Sequence, residues 1–451
     1  MRSALLAASV FIAALGTPAQ DARHVTEPIV PPACVTLEAQ LAAPNHALAA
    51  EDEKKLDTAR LQKAIDGCGK GHGVYLRTSG EKNAFLSGPL ELRPDVALII
   101  DKGVTLYASR DAAQFATAPG SCGVVTQENL HGCRPLISVQ NANGAAVMGP
   151  GTIDGRGGAL LLGSQFSWWN LVAHVGDRRQ AFRLIVADHT DNFTLYNITL
   201  KNSPNFHVTF AHGTGFTAWG VTIDTPQRGA PNTDGIDPGS DARDVTITHS
   251  SIRTGDDNVA IKGGPGGAER MTIAHNHFYW GHGMSIGSET DGGVNKILVT
   301  DLSLDGPDNG LRIKSNGSRG GLTENVTFDD VCVRNSPNPL VFDTAYTAVG
   351  TLTGDKKPSM RAITLHNVRV SGGGKISFNG YDAAHRIAAR LDGVWLTDQA
   401  KYSDKFAHSD IFLGFEGTNL HLPTGDDTTV TGTPAEGTPA SCQEKFLPFP
   451  Q

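Results

Sequence analysis

Charged residues are scarce in this 451-residue chain, at 19%, and aromatic residues scarcer still, at 7% with only 7 tyrosines. Low charge together with 52 glycines excludes a coiled coil and describes short elements joined by many turns. The glycines do not recur at every third position, which excludes the collagen class. Past the N-terminal segment no apolar run approaches the ~20 residues of a membrane span. Lys and Arg number 38 against 46 Asp and Glu, and a formal charge of -8 argues against nucleic acid as a partner. An anionic ligand would need a local basic site set against the field of the whole chain.

Cysteine is sparse too, with six at positions 34, 68, 122, 133, 332 and 442. No CxxC or His-rich spacing points to zinc, so neither a metal nor a cofactor is expected. Cys122 and Cys133 bracket a glycine-containing loop, which predicts a local bridge. Cys34 and Cys68 would tie the N-terminal segment to the helix that follows. Cys332 lies inside an apolar strand pattern and reads as a buried thiol. These bridges suit an exported chain. Met1-Arg2, the apolar run Ala4 to Leu15 and the small residues around Thr17-Pro18-Ala19 read as a secretory leader over residues 1–20.

What the chain does have is a repeat. Eight-residue segments with a pattern of apolar positions at 1, 3, 6 and 8 recur: Phe193-Leu195-Ile198-Leu200, Phe216-Ala218-Val221-Ile223, Val245-Ile247-Ser250-Ile252, Met271-Ile273-Asn276-Phe278, and so on through Ile363-Leu365-Val368-Val370. Their starts step by 23, 29, 26, 26, 29 and 37 residues. Each reads as two short strands of period two with a polar pair turning a corner between them. A third strand follows most of them, at Asn258 to Lys262, Gly283 to Gly287, Leu311 to Lys314 and Leu340 to Asp343. Three strands per repeat of this length predict an all-β fold, a right-handed parallel β-helix. A β-propeller needs blades of ~40 residues. Leu56 to Ile65 has helical spacing and is expected as a short N-terminal capping helix. One solenoid domain over residues 21–423 is predicted. Residues 424–451 form a Thr/Pro/Gly-rich tail, and the stretch from Thr424 to Ser441 reads as mobile and linker-like.

Four polar clusters stand about one repeat apart: Asn232-Thr233-Asp234-Gly235, Gly255-Asp256-Asp257, Gly281-His282-Gly283 and Arg312-Ile313-Lys314. The steps from Asp234 to Asp257, His282 and Arg312 are 23, 25 and 30 residues. Coils stacked at ~4.8 Å would bring them into one column. Asn232 and Asp234 share a face if extended, as do Arg312 and Lys314. Any one cluster alone fits a solvated turn; four in register fit a site. Close carboxylates repel, so one keeps a proton where the others are ionised, which supplies the acid and base that glycosidic hydrolysis needs. Arg312 and Lys314 can clamp a carboxylate on the sugar, or neutralise the aspartates, and the two roles can coexist. Lys262 extends the same basic lining.

These clusters, in this order and spacing, resemble the polygalacturonases of glycoside hydrolase family 28, and bacterial endo enzymes in particular. The resemblance also covers Gly149 to Gly155, Asn202 to His207, Asn232 to Pro238, Gly255 to Lys262, Gly281 to Thr290 and Gly310 to Ser315. It implies Asp256 as general acid, Asp234 and Asp257 as the pair that activates water, and inversion of the anomeric centre. It implies that His282 tunes the acid, that Arg312 and Lys314 bind galacturonate, that Asn232 orients the carboxylates, and that Tyr346 lines the cleft. A protonated Asp256 implies a mildly acidic optimum.

The expectation is thus a secreted, monomeric, endo-acting hydrolase of polygalacturonate, the smooth region of pectin, with no nucleic-acid or membrane partner once the leader is removed. An exo-polygalacturonase, a rhamnogalacturonan hydrolase, a calcium-dependent pectate lyase and a non-catalytic carbohydrate-binding solenoid remain open alternatives.

Overall fold

The computed structural model describes residues 20–124, 132–175, 180–347, 356–423, 427–433 and 441–450. The proposed leader, residues 1–20, lies outside them but for its last residue, and so does part of the long step before Ile363. Nearly every strand pairs in parallel with its counterpart one coil away, and the chain winds as a right-handed parallel β-helix. Among the described residues, eleven strands from Leu90–Glu91 to Tyr402–Ala407 form one wall. Twenty more form a second sheet that folds round the other two sides.

The repeat pattern maps directly onto this winding. In the segment beginning at Phe193, the residues at positions 1, 3, 6 and 8 are all 1% exposed or less. Position 5 turns the corner in a left-handed conformation: Asn197, His249, His275, Asp301, Asp330 and Asn367 have φ between 46 and 57°, with Gly220 and Gly393 in the same place. Asn, Asp and His tolerate that region better than other side chains do, because their short polar groups bond locally. Lower in the stack the corner separates two strands, as in Thr194–Tyr196 and Thr199–Lys201; higher up it is a bend within one strand, as in Ala268–Phe278. The polar side chains at two inward positions are satisfied by main-chain groups: Ser250 Oγ donates to Thr248 O at 3.0 Å and accepts from Val221 N at 3.2 Å. Asn276 Oδ1 accepts from Ser250 N at 2.9 Å, and its Nδ2 donates to Ile247 O at 2.9 Å.

The cap is the helix Thr58–Asp66, which buries Leu61 and Ile65 over the open end of the first coils. Leu56 precedes it and is 36% exposed, so the expected start was too early. Cys34–Cys68 fastens the first strand to the end of this helix, and Cys122–Cys133 closes a local loop. A second short helix, Trp168–Val175, was not expected. It brings Trp168 against a stacked pair, Phe115 and Phe182, whose rings are 3.9 Å apart.

Two expectations at the far end are corrected. Cys332 is not a thiol but is bridged to Cys442. It stands at position 7 of its segment, which faces outward between the inward Val331 and Val333, and the C-terminal segment covers it. Of the stretch expected to be linker-like, Thr424 to Ser441, residues 424–426 and 434–440 lie outside the described residues; within it Thr428–Thr431 pairs in parallel with Ser409–Leu413, and past it residues 441–450 are anchored on the coils.

Candidate active site

The wall strands fix the register of the site. Ile236, Val259, Met284 and Leu311 are successive partners, so Asp234, Asp257 and His282 each stand two residues before a wall position of the same column. Ser285 pairs with Arg312, one position further on, and Gly287 pairs with Lys314. Leu311 and Ile313 point into the core, which sends Arg312 and Lys314 together to the outer face. Asp234, Asp256, Asp257, His282, Arg312 and Lys314 therefore converge on one side of the coil.

Asp257 is the most enclosed, with its side chain 1% exposed. Arg312 Nη2 bonds its Oδ1, Lys314 Nζ bonds its Oδ2 at 2.9 Å, and Ser285 Oγ donates to Oδ1 at 2.8 Å while accepting from Arg312 Nε at 2.9 Å. Burial alone would raise its pKa, but Arg312 and then Lys314 hold it far below the usual carboxylate range. Both cations are thus engaged in neutralising an aspartate. Lys314 Nζ also lies 5.1 Å from the centre of the Tyr346 ring.

Asp256 is the aspartate that reaches the cleft, with 22% of its side chain exposed against 4% for Asp234. His282 Nδ1 lies 2.9 Å from Asp256 Oδ1, and the Asp257 N–H donates to the same oxygen at 2.9 Å. Burial pushes Asp256 up, but the bond to His282, together with the charges of His282 and Lys314, outweighs it, so its pKa is lowered. His282 moves in the opposite sense: burial would lower it, but Asp256 beside it raises it. Its Nε2 lies 3.5 Å from Asp308 Oδ2. The proton of this couple belongs to the pair rather than to Asp256 alone.

The expected split among carboxyls exists, but it falls on other residues. Asp234 is driven well above the usual range by burial and by its neighbours Asp256 and Asp237. Asp237, which is absent from the residues singled out by sequence, is raised to about 7 by burial, with Lys262 opposing. Asp234 Oδ1 and both oxygens of Asp237 lack a hydrogen-bond partner among the described residues. Lys262 Nζ sits 3.6, 3.5 and 3.7 Å from Asp234, Asp237 and Glu289, and these anions lift its pKa against the effect of burial. Lys262 is therefore a partly buried counter-charge set among acids, not a free extension of a basic lining. Asn232 occupies a left-handed turn with φ 53°, so it does not share an extended face with Asp234. Beneath Asp234, His207 is buried and lowered to about 4 by that burial; its Nδ1 lies 2.9 Å from Asp234 O, and its Nε2 2.8 Å from Thr225 Oγ1.

Asp256, Asp257 and His282 offer ligand atoms within 4.8 Å of one another, as do the more exposed Asp188, His189 and His212. In the first group Asp257 is saturated by two cations and Asp256 by an imidazole, so the donor set is built for charge compensation. In the second, His212 Nδ1 lies 2.7 Å from Asp188 Oδ1.

Residues 68–409 match the family model of glycosyl hydrolases family 28. The chain is 43% identical over 392 residues to an endo-polygalacturonase of Pectobacterium carotovorum subsp. carotovorum, covering 86% of this chain and 92% of the relative. A polygalacturonase of Ralstonia solanacearum is 36% identical, covering 94% of this chain and 92% of the relative. Among solved structures, a polygalacturonase from Erwinia carotovora ssp. carotovora superposes with a TM-score of 0.79 at 41% identity, covering 87% of this chain and 100% of that one.

Proposed function

The chain belongs to glycosyl hydrolases family 28, and from that membership and the charge arrangement of the wall we propose that it is an endo-acting polygalacturonase, hydrolysing α-1,4-galacturonosidic bonds with inversion. The observation that carries this reading is a cleft-facing Asp256 paired with His282, beside a buried Asp257 held by Arg312 and Lys314.

In this reading Asp256 protonates the leaving glycosidic oxygen with the proton it shares with His282, and a raised His282 keeps that proton available above the usual imidazole range. The water lies on the side of Asp234 and Asp257. Asp257 is the ionised partner that accepts its proton; Asp234 holds the water in place. A carboxylate so firmly clamped is a weak base, and the substrate itself supplies the remedy. A galacturonate carboxylate arriving at Arg312 and Lys314 shares these cations with Asp257, so the hold on Asp257 loosens as substrate binds. Recognition of the acid sugar and activation of the base then become one event, which disfavours neutral or esterified units. Tyr346 beside Lys314 borders the same subsite, and Asn232 orients the turn of Asp234.

Endo action is favoured by 43% identity across 92% of a relative bearing that name. Export after removal of residues 1–20 is supported by three disulfides among the described residues, which suit an oxidising compartment. No helix among those residues is long and apolar enough to cross a membrane. The proposed enzyme is a monomer built on one solenoid domain over residues 21–423.

The test is incubation of the purified full chain with polygalacturonate, sizing the earliest products and assaying unsaturated ends. Mixed oligomers with new reducing ends and no unsaturated ends are expected. Monomer or dimer release from the outset would replace endo with exo action. Unsaturated ends, or binding without any new reducing ends, would overturn hydrolysis.

A further inference from the structure

We propose that the C-terminal segment 441–450 is a strap that positions the catalytic turns, with Phe449 acting through Arg253 and Trp280 as its positioning residue. The proposal rests on the hydrolase reading only for its kinetic consequence; its structural consequence is measured without substrate.

The strap runs down the outer face of the coils. It starts at the Cys332–Cys442 bridge. Lys445 Nζ then joins Asp301 at 2.7 Å and Asp330, and the Phe446 ring lies 4.1 Å from the Arg334 guanidinium. Tyr279 Oη lies within donating distance, 3.1 Å, of the carbonyls of Leu447 and Pro448. Phe449 ends the run. Its ring covers the Arg253 guanidinium at 3.8 Å and meets Tyr279 edge-on, with centroids 5.0 Å apart.

Arg253 is held between two aromatic rings, since Trp280 covers it at 4.4 Å, and its Nε bonds Asp224 Oδ1 at 2.7 Å. A guanidinium is stabilised by each aromatic face it meets. The sandwich stands at the entrance to both halves of the acid couple. Arg253 is followed by Thr254-Gly255-Asp256, and Trp280 by Gly281-His282. Trp280 O accepts from Thr254 N at 3.2 Å and from Asn258 Nδ2 at 3.0 Å, locking the two turns to each other. Trp280 Nε1 donates to the carbonyl of Thr225, whose hydroxyl meets the His207 that supports Asp234. Cys442 and Lys445 anchor the strap on the outer side of the two rungs that carry Asp301, Asp330 and Cys332; Phe449 is where it meets the residues that lead into the catalytic turns.

The couple would register a loss of this support. His282 faces Asp256, Asp257, Asp308 and Arg312, and Asp256 faces His282, Asp257, Asp234 and Lys314. A looser Asp256–His282 contact weakens the interaction that keeps the imidazole charged.

The experiment compares the full chain with Phe449→Ala, Phe449→Trp and Lys445→Ala, all with the disulfides intact. NMR titration of the His282 ring is the first readout. In Phe449→Ala its pKa is expected to fall back toward the ordinary imidazole value, with Phe449→Trp restoring it. On polygalacturonate, Phe449→Ala should lower kcat about tenfold at nearly constant KM and move the alkaline limb of the profile acidward. Lys445→Ala should lower the unfolding midpoint and leave the His282 titration in place. An unmoved His282 titration in Phe449→Ala would overturn the proposal whatever happens to the midpoint. If the parent chain released no reducing ends, the hydrolase reading would fall while the titration still decided the role of the strap.

Discussion

The wall and the back of this solenoid are built from the same stacked rungs, yet they treat carboxylates in opposite ways. On the back, Asp224, Asp305 and Asp329 each meet a partner one rung away and stay in part exposed. Arg253 and Lys201 flank Asp224 at 2.7 and 3.1 Å, Arg334 holds Asp305 at 2.6 Å, and His366 meets Asp329 at 2.6 Å. On the wall, Asp234, Asp237, Asp256 and Asp257 are gathered within a few rungs. Two cations are spent on Asp257 alone, and buried oxygens of Asp234 and Asp237 go without a hydrogen bond among the described residues. Parallel stacking makes ladders of like position on every face. Chemistry arises where those ladders hold more buried acid than cation, because uncompensated burial drives carboxyl pKa values apart.

The sharpest way to break the comparison is to remove the acid. Asp256→Asn should cut kcat on polygalacturonate by about 10²- to 10⁴-fold while circular dichroism and the unfolding midpoint stay near the parent's. Near-normal turnover would show that the wall is no more than a charged ladder like the back.

Arg312→Ala should act twice. KM for polygalacturonate should rise as a clamp on the sugar carboxylate is lost. Stability should also fall, on the order of 3–5 kcal/mol, because Asp257 stays buried with half its compensation gone. The amino-acid pattern alone suggests binding as the larger effect; the burial of the pair makes denaturant melts as informative as kinetics. A variant changed in neither respect would mean that Arg312 is dispensable to both tasks.

Asp237→Asn sharpens the contrast through pH. An unfolded aspartate titrates near about 3.9, whereas burial holds folded Asp237 at about 7. A raised acid binds more protons when folded, so its contribution to stability is present below the unfolded value and is lost as pH rises toward 7. The variant should therefore gain stability relative to the parent at pH 7 and little at pH 4. Equal differences at both values would place an ionised Asp237 in the fold. The smallest effect belongs to the outer face: Arg361→Ala breaks an ion pair with Glu324 at 2.8 Å that is largely solvated, and should cost less than about 1 kcal/mol with kcat unchanged.

Much of this architecture is legible in the order of the amino acids. The 1, 3, 6, 8 pattern carries the coil because every inward residue must find its own kind one rung away, and the four polar clusters recur near that period. What stays hidden follows from the corners. Asp237 is three residues beyond Asp234, a spacing that suits neither face of a strand; the turn at Gly235 resets the alternation and brings both acids to Lys262. Ser285 is an ordinary residue until its pairing with Arg312 sets it between the guanidinium and Asp257. Cys332 reads as a buried thiol because Val331 and Val333 flank it in an apolar strand pattern, although position 7 faces out. The composition of the tail conceals Lys445 and Phe449, whose partners are more than a hundred residues away in the chain.

If buried wall carboxyls keep their protons while Asp257 does not, infrared difference titration of the aspartate carboxyls reads it directly. The expected result is a protonated-carboxyl band that persists at about pH 6, near the value to which Asp237 is raised, and disappears in the Asp234→Asn, Asp237→Asn double variant. Loss of that band from the parent by about pH 5, in the ordinary carboxylate range, would contradict it.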